Sequence, residues 1–497
     1  MSVKLLRLFP AITLAPRRPA ETRKLYTAVA AVKPPPRASS PDNETPLYQR
    51  LSYLTAVIGG SAKKTLDDYL SEGKLVTQSE LVRCVKELRR YKQFEHALQI
   101  MEWMDDRKMR LGYRVHAIRI DLISKTEGVP AAEAYFEGLF PNAKNHLTYG
   151  SLLNCYCKEL KAEKACALFN RMDELRFLHS TLPFNNLMTL YLKMGEPEKV
   201  LELVQDMKLR KVRLDSISYG MWMQACAGLD DLDGVKRAFK EAEDQGVRNH
   251  KDGWNLYSNL ATIYVNAKEF EKAEAALKLL EGRLVLANRE AFHYLITLYA
   301  GTSNLGEVHR VWALFKSRFP VVINTSYLVL FPALMKLKDV EGIKKRFEEW
   351  ESSCRSYDVR VVNVVIKAYL AHGMYDEAVK VFEGAKQRVN VNLFKAREMF
   401  MVFLLESGLL DPALEHLKAT FSECAEAGFE WKPTKQIIDA FFLCFEKAKD
   451  VDGAEKFFNI LKLVNQEDSD VDHYLDRVYV AAGQRRVREP DVGTTPE

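Results

Sequence analysis

Cations recur at one position of a repeat of about 35 residues along this 497-residue sequence. Such a column can neutralise successive phosphates of a nucleic-acid strand. Its members are Arg90, Lys158, Lys193, Lys336 and Lys447, and in the first repeat Arg83 and Lys86 extend it into a basic stripe. Any amphipathic helix in water carries some charges on its outer face. Recurrence at one repeat position is what favours a phosphate-binding surface over that simpler explanation.

Residue patterns typical of catalysis and of metal binding are absent from the sequence. None of the ten histidines is followed two residues later by glutamate, and no two cysteines have the C-x-x-C spacing of zinc ligands. Residues 59–65 imitate a phosphate-binding loop, but their glycines have the wrong spacing. Cys155, Cys226 and Cys444 fall in apolar helical patterns, where we expect buried thiols. We therefore predict no enzyme activity, no metal site, no cofactor and no small-molecule substrate.

The cations belong to a repeated pair of helical patterns. If one small residue is taken as position 20 of each repeat, positions 4, 7, 8 and 11 are apolar in most repeats, as on one helix face. A second helix follows, with an aromatic residue at position 24 in seven repeats. Two antiparallel helices cannot bury their apolar faces alone, so we predict an all-α superhelical solenoid of about eleven helix-turn-helix repeats. The position-20 residues are Ala97, Ala132, Ala165, Val200, Val235, Ala273, Val308, Ile343, Ala378, Ala413 and Ala454.

Length and composition agree with one long array in a soluble chain. The longest strongly apolar stretch is residues 327–335, whereas a membrane-spanning helix needs about 20 residues, so we predict no membrane span. Eight cysteines are too few for a disulfide scaffold, which favours a reducing compartment. We place the array at residues 77–470. A helical lead-in at residues 42–76 precedes it, and a capping segment with a disordered tail at residues 471–497 follows.

Residues 1–41 differ from the rest of the chain in charge. They hold eight basic residues and one acid, Glu21, whereas the whole chain carries a net charge of +5, so the body is close to neutral. Lys4 and Arg7 lie on one side of a short predicted helix and Phe9 on the other. An Arg-rich, acid-poor, amphipathic start is typical of an organellar transit peptide. We predict the mitochondrial matrix. The chloroplast and a merely disordered basic tail are the alternatives.

The 35-residue spacing resembles that of the pentatricopeptide repeat family, as do residues 182–215 and 361–385. Tetratricopeptide repeats would instead need Gly at position 8, where this chain has residues such as Met188. Residues 87–104 and the transit peptide are similar to plant mitochondrial members of the P class. The resemblance covers residues 77–470. It implies a right-handed superhelix that binds single-stranded organellar RNA.

The resemblance also implies a base-reading code, with one nucleotide per repeat read by positions 5 and 35. Asn185 with Asp215 resembles the uracil-type pair, and Ser258 with Asn288 resembles the adenine-type pair. Asn363 is a further candidate for base contact. The remaining repeats hold unfamiliar residues at position 5, namely Val82, Ala117, Gly150, Gly220, His293, Leu328, Glu398 and Asp439. Two coded repeats that are not adjacent cannot specify a transcript.

Three functions stay open at this point. The first is a mitochondrial RNA-binding protein that grips backbone and shape, and acts in transcript processing, stability or translation. The second is a component of the mitochondrial ribosome, or a factor attached to it. The third is a protein-binding scaffold without RNA, because solenoids in general bind extended ligands. The near-neutral body slightly favours protein or ribosome contacts over capture of free RNA.

Overall fold

The structure, a computed structural model, describes residues 47–54, 60–109, 111–247, 253–282, 288–388, 393–427, 431–463 and 469–486. The predicted transit peptide lies outside these residues. Over the described residues the chain forms 25 α-helices and no strand, which confirms the all-α prediction. Two helices precede the first repeat, α1 (Leu47–Tyr53) and α2 (Ala62–Ser71), and one follows the last repeat, α25 (Ser469–Ala481).

Each repeat contributes a first helix that begins at position 1 of the predicted numbering. The first helices of repeats 1 to 11 are α3 (Gln78–Arg90), α5 (Tyr113–Thr126), α7 (His146–Lys158), α9 (Thr181–Met194), α11 (Ser216–Gly228), α13 (Trp254–Asn266), α15 (Arg289–Gly301), α17 (Asn324–Lys336), α19 (Val359–Ala371), α21 (Phe394–Glu406) and α23 (Lys435–Ala448). The helix starts therefore follow the 35-residue period read from the sequence.

The second helix of each repeat carries the small residue at position 20. The second helices are α4 (Phe94–Asp106), α6 (Val129–Glu137), α8 (Ala162–Glu174), α10 (Pro197–Leu209), α12 (Leu232–Asp244), α14 (Phe270–Gly282), α16 (Leu305–Arg318), α18 (Val340–Ser353), α20 (Tyr375–Arg388), α22 (Leu410–Ala427) and α24 (Val451–Leu463). All eleven position-20 residues have 0% of their surface exposed. A larger side chain at this position would force the packed helices apart.

Aromatic contacts join consecutive repeats within the core. The position-24 ring of one repeat meets the position-4 ring of the next edge-on, with interplanar angles of 64° to 84°, an orientation that aromatic rings prefer. The ring centroids are 4.9 to 5.3 Å apart in four such joints, Phe136–Tyr149, Phe169–Phe184, Phe239–Tyr257 and Trp312–Tyr327. These joints explain why the sequence repeats an aromatic residue at position 24.

The turn between the two helices of a repeat adopts a left-handed backbone at position 15. Gly195, Gly373 and Gly408 have φ of 72° to 75° there, as expected for glycine at a helix C-terminus. Seven other repeats use a residue with a side chain, which costs about 1–2 kcal/mol relative to glycine's freedom in this region. These residues are Lys92, Leu160, Asp230, Lys268, Ser303, Lys338 and Lys449. The sequence signal therefore appears only in the minority of repeats that carry glycine.

The helices form two compact lobes, one holding repeats 1–6 and the other repeats 7–11. In the N-terminal lobe α2 packs on repeat 1, where the Trp103 indole N–H donates to Asp67 over 2.8 Å. In the C-terminal lobe α25 packs on α23, with the rings of Phe442 and Tyr474 stacked 5.6 Å apart. Helices outside the repeats thus cover the outer faces of the first and last repeats.

Candidate nucleic-acid interface

The cation column is denser at the N-terminal end than predicted. Position 13 of repeat 2 is Lys125, which was missing from the predicted column although it follows the same numbering. With Lys125 included, four consecutive repeats carry a cation at position 13: Arg90, Lys125, Lys158 and Lys193. The side chains of Arg83 and Arg90 are 72% and 74% exposed, and the nearest carboxylate oxygens, on Glu80 and Glu87, are 3.8 Å away.

The column is interrupted after repeat 4. Position 13 is Gly228, Asn266 and Gly301 in repeats 5 to 7, and a cation returns only at Lys336 and Lys447 in the C-terminal lobe. Lys86, Lys193, Lys336 and Lys447 are all exposed. Burial around its ammonium group lowers the pKa of Lys336. The predicted phosphate contacts therefore fall into a dense N-terminal group and two isolated positions.

Asp121, at position 9 of repeat 2, binds three of the cations on this face. Its carboxylate accepts from Arg89 over 2.6 Å, from Lys158 over 3.3 Å and from Lys125. The Asp121 side chain is 7% exposed. Burial alone would raise the pKa of its carboxyl, but the charges and hydrogen bonds of Lys158, Lys125 and Arg89 hold this pKa far below its usual range. Asp121 and Arg89 were not predicted from the sequence, because their contact joins residues of two repeats that lie 32 positions apart in the chain.

The pair Asn185 and Asp215 is brought together and is already hydrogen-bonded. The Asn185 amide donates to both Asp215 carboxylate oxygens over 3.3 Å, and its carbonyl accepts from the Ser218 hydroxyl over 2.7 Å. Thr181 adds a further hydroxyl donor to Asp215 over 2.7 Å. Burial would raise the pKa of the Asp215 carboxyl, but these donors and the Ser218 backbone amide outweigh it, so the pKa is lowered.

Position 35 also has a structural role. In the repeats that span 35 residues, it is the N-cap of the following first helix. The carboxylate of Asp215 accepts a hydrogen bond from the backbone N–H of Ser218 over 2.8 Å. The side-chain oxygen of Asn288 accepts one from the backbone N–H of Glu290 over 3.0 Å. Asp358 caps α19 in the same way. Asn and Asp are preferred N-caps because they satisfy orphan backbone donors, so capping by itself accounts for these residue types.

Position 5 of one repeat lies against position 3 of the next. Asn185 meets Ser218 in this way, and the His293 ring bonds the Ser326 hydroxyl over 2.9 Å. Asn363 has no such partner: its carbonyl oxygen is buried and makes no hydrogen bond, and position 3 of the following repeat is alanine. Ser258 is buried, and its hydroxyl donates to the carbonyl of Asn255 in its own helix over 3.0 Å.

Two exposed aliphatic residues stand beside the Asn185 pair. Leu182 and Ile217 occupy position 2 of repeats 4 and 5, and they are 59% and 42% exposed. Position 2 of repeat 3 is also aliphatic, Leu147. These residues were not among the candidates predicted from the sequence, although apolar residues that recur at one repeat position are a recognisable signal. Apolar surface next to hydrogen-bonding groups suits a flat, partly polar ligand such as a base.

The side chain at position 5 of repeat 10, Glu398, is hydrogen-bonded within the protein. The Trp431 indole N–H donates to the Glu398 carboxylate over 3.1 Å, and burial raises the pKa of Glu398. The spacing from Ala413 to Ala454 is 41 residues, longer than the usual 35, and this insertion between repeats 10 and 11 supplies Trp431, which is 7% exposed. Helix α22 continues into this insertion, where Glu423 binds Arg397. Two described residues of this insertion, Glu423 and Trp431, are thus packed into the C-terminal lobe.

The described residues include no candidate metal site and no candidate membrane span. Among them, no group of three or more His, Cys, Asp or Glu side chains is arranged to hold a metal ion. No helix in the same parts of the chain has the length and apolar character needed to cross a membrane.

Known proteins resemble this chain in both sequence and fold. Residues 147–177, 183–212 and 360–388 match the family model of the PPR repeat. A mitochondrial pentatricopeptide repeat-containing protein of Arabidopsis thaliana is 46% identical over 437 residues, covering 88% of this chain and 81% of the relative. The large ribosomal subunit protein mL101 (rPPR4) of Arabidopsis thaliana is 38% identical over 444 residues, or 89% of each protein.

A solved structure shares the fold. The crystal structure of the pentatricopeptide repeat protein PPR10 from maize matches 86% of this chain with a TM-score of 0.51 and 14% identity. This chain spans 63% of the maize chain, which is less than two thirds, and the likeness bears on the fold alone. Because the Arabidopsis relatives are similar over most of their length, the chain belongs to the pentatricopeptide repeat family. The resemblance inferred from the repeat period is confirmed.

Proposed function

We propose that this protein binds single-stranded RNA in the mitochondrial matrix and acts in the processing, stability or translation of transcripts. The observation that carries the proposal is the charge on the first helices of repeats 1–4. At positions 6, 9, 12 and 13 these helices place seven cations and one carboxylate, Asp121, while Glu80 and Glu87 lie beside two of the cations at positions 3 and 10. The cations are Arg83, Lys86, Arg89, Arg90, Lys125, Lys158 and Lys193. Cations spaced along a repeat array follow the phosphates of an extended strand.

Base contacts are secondary in this proposal. Asn185 and Asp215 offer donors and acceptors beside the apolar side chains of Leu182 and Ile217, which supports one base slot at repeat 4. A bound base must replace hydrogen bonds that Asn185 and Asp215 already make, so the net free energy of its own hydrogen bonds is small. The unsatisfied carbonyl of Asn363 supports a second contact in the C-terminal lobe. Ser258, Asn288, Lys336 and Lys447 remain candidates by position alone.

The mitochondrial location rests on two observations. Residues 1–41 have the composition of a transit peptide, and the 46% identical Arabidopsis relative is named mitochondrial. Fusion of residues 1–41 to a fluorescent protein tests the location directly in plant cells. We expect the fusion to enter mitochondria, and accumulation in chloroplasts would contradict the proposal.

The test of RNA binding compares two triple variants of equal charge. R83Q/R90Q/K193Q removes three cations from the first-helix face, and R171Q/K199Q/K236Q removes three exposed cations from second helices. Binding of fluorescein-labelled oligouridylate is measured by anisotropy across a range of salt concentrations. We expect the first variant to bind RNA about tenfold more weakly or worse. Its affinity should also depend less on salt concentration, because a complex with fewer phosphate contacts releases fewer counterions when it forms. Equal effects of the two variants would refute the first-helix face as the binding surface.

A second candidate function is membership of the mitochondrial ribosome. It is favoured by the similarity to mL101, which is named a large ribosomal subunit protein, and by the small number of coded repeats. Ribosomal RNA offers backbone without a need for sequence readout, which suits a basic face with few base contacts. Sedimentation of a mitochondrial lysate with and without ribonuclease separates the two candidates. Migration with a ribosomal subunit supports the second, and slow migration with a few enriched transcripts supports the first.

A further inference from the structure

Three consecutive repeats meet at one buried carboxylate on the proposed RNA-binding face. Arg89 comes from repeat 1, Lys125 from repeat 2 and Lys158 from repeat 3, and all three donate to Asp121. We call Asp121, Arg89, Lys125 and Lys158 the Asp121 cluster. It carries three positive charges and one negative charge, so two positive charges are not balanced within it.

Solvent reaches the cations of the cluster, above all Lys158 and Arg89, more readily than it reaches the carboxylate of Asp121. The side chains of Lys158, Arg89 and Lys125 are 44%, 29% and 16% exposed, whereas that of Asp121 is 7% exposed. The Nε–H of Arg89 is buried and makes no hydrogen bond. A lysine ammonium has three donors and a guanidinium five, so one carboxylate cannot satisfy them all. An anion that arrives from the solvent therefore meets donors first.

We propose that the Asp121 cluster is a phosphodiester site in which Asp121 competes with the RNA for the same three cations. This inference rests on the proposed function and deepens it, because it fixes where the backbone is held and which residue limits the affinity. Asp121 is a positioning residue: it gathers cations from three repeats and touches no ligand itself. Its negative charge also repels the phosphate that the cations attract.

The proposal predicts effects of opposite sign at neighbouring residues. D121N keeps the size of the side chain and removes its charge, so oligouridylate should bind about threefold to tenfold more tightly, because one repulsion disappears and one net positive charge is gained. The same variant should unfold at a lower temperature, since three cations lose their common partner. K158Q should bind about threefold to tenfold more weakly and should reduce the logarithmic salt slope by about 0.7, the value for one phosphate of a single strand.

A matched pair of controls lies on the second helices of the same two repeats. Glu133 of repeat 2 accepts from Lys164 of repeat 3 over 2.6 Å, and the Lys164 side chain is 53% exposed. E133Q and K164Q therefore repeat the charge changes of D121N and K158Q away from the proposed face. The protein comprising residues 42–497 and its four variants are titrated into fluorescein-labelled oligouridylate at low and at physiological ionic strength. Binding is followed by fluorescence anisotropy.

Tighter binding by D121N, with E133Q unchanged, supports the competition between Asp121 and phosphate. Unchanged or weaker binding by D121N would overturn the proposal, because a purely structural ion cluster has no reason to raise the affinity. If D121N does not fold, K158Q decides: an effect no larger than that of K164Q would overturn the site. If the wild-type chain binds RNA but all four variants match it, this inference fails alone. If the wild-type chain binds no RNA at low ionic strength, the proposed function fails with it.

Discussion

The hydrogen bond between position 5 of one repeat and position 3 of the next can be removed at one repeat and introduced at another by single substitutions. Ser218 supplies the donor for Asn185 over 2.7 Å, and both residues are buried. In the equivalent place Asn363 lacks a donor, because position 3 of repeat 10 is Ala396, which is 0% exposed. S218A should therefore create the defect that repeat 9 already has, and A396S should repair the existing one.

The expected sizes follow from the cost of an unsatisfied buried carbonyl. S218A leaves the Asn185 carbonyl without its donor and should destabilise the packing of α9 on α11 by about 1–3 kcal/mol. A396S should stabilise the packing of α19 on α21 by about 0.5–1.5 kcal/mol, since the new hydroxyl must also be buried. Hydrogen exchange followed by mass spectrometry reports these changes locally, in peptides from the helices concerned.

A double-mutant cycle makes the test specific. N363L removes the orphan carbonyl, so a serine at position 396 then has no acceptor on Asn363 and should destabilise the same helices. The reasoning is refuted if A396S has the same effect in the presence and in the absence of Asn363. It is also refuted if S218A leaves exchange in α9 and α11 unchanged.

Three further predictions concern stability. G195A should cost about 1 kcal/mol, because its left-handed backbone strains any Cβ although no atom would clash, whereas G150A, inside a helix with open space, should gain about 0.5–1 kcal/mol; thermal unfolding compares them. Burial lowers the pKa of His416 to about 4, so the unfolded state binds more protons between pH 6.5 and 4. Stability should fall by about 1–2 kcal/mol as the pH drops through that window, after allowance for partial exposure, and H416Q should flatten the profile. W431F should remove the donor to the half-buried Glu398 and lower the free energy of protection against hydrogen exchange in α21 by about 1 kcal/mol.

The repeat period and the helix pairs were accessible from the sequence because they depend on local patterns. Apolar residues at positions 4, 7, 8 and 11 and a small residue at position 20 recur in each repeat, and each repeat packs against neighbours with the same pattern. The first helix of each repeat begins at position 1 of this numbering. Capping was also visible in principle, since Asp215 and Asn288 are residue types that favour N-caps.

The fold class, the family and the positions at which cations recur thus follow from the residue pattern alone. The contacts of each polar side chain do not, because they depend on partners from other repeats. Lys158 carries the same charge as Lys193, but it lies 3.3 Å from Asp121, 37 positions earlier in the chain. Asn185 and Asn363 occupy the same position, but one has a serine donor in the next repeat and the other does not. Helical periodicity places a residue on a face, whereas its hydrogen bonds are set by the residues that stacking brings against it.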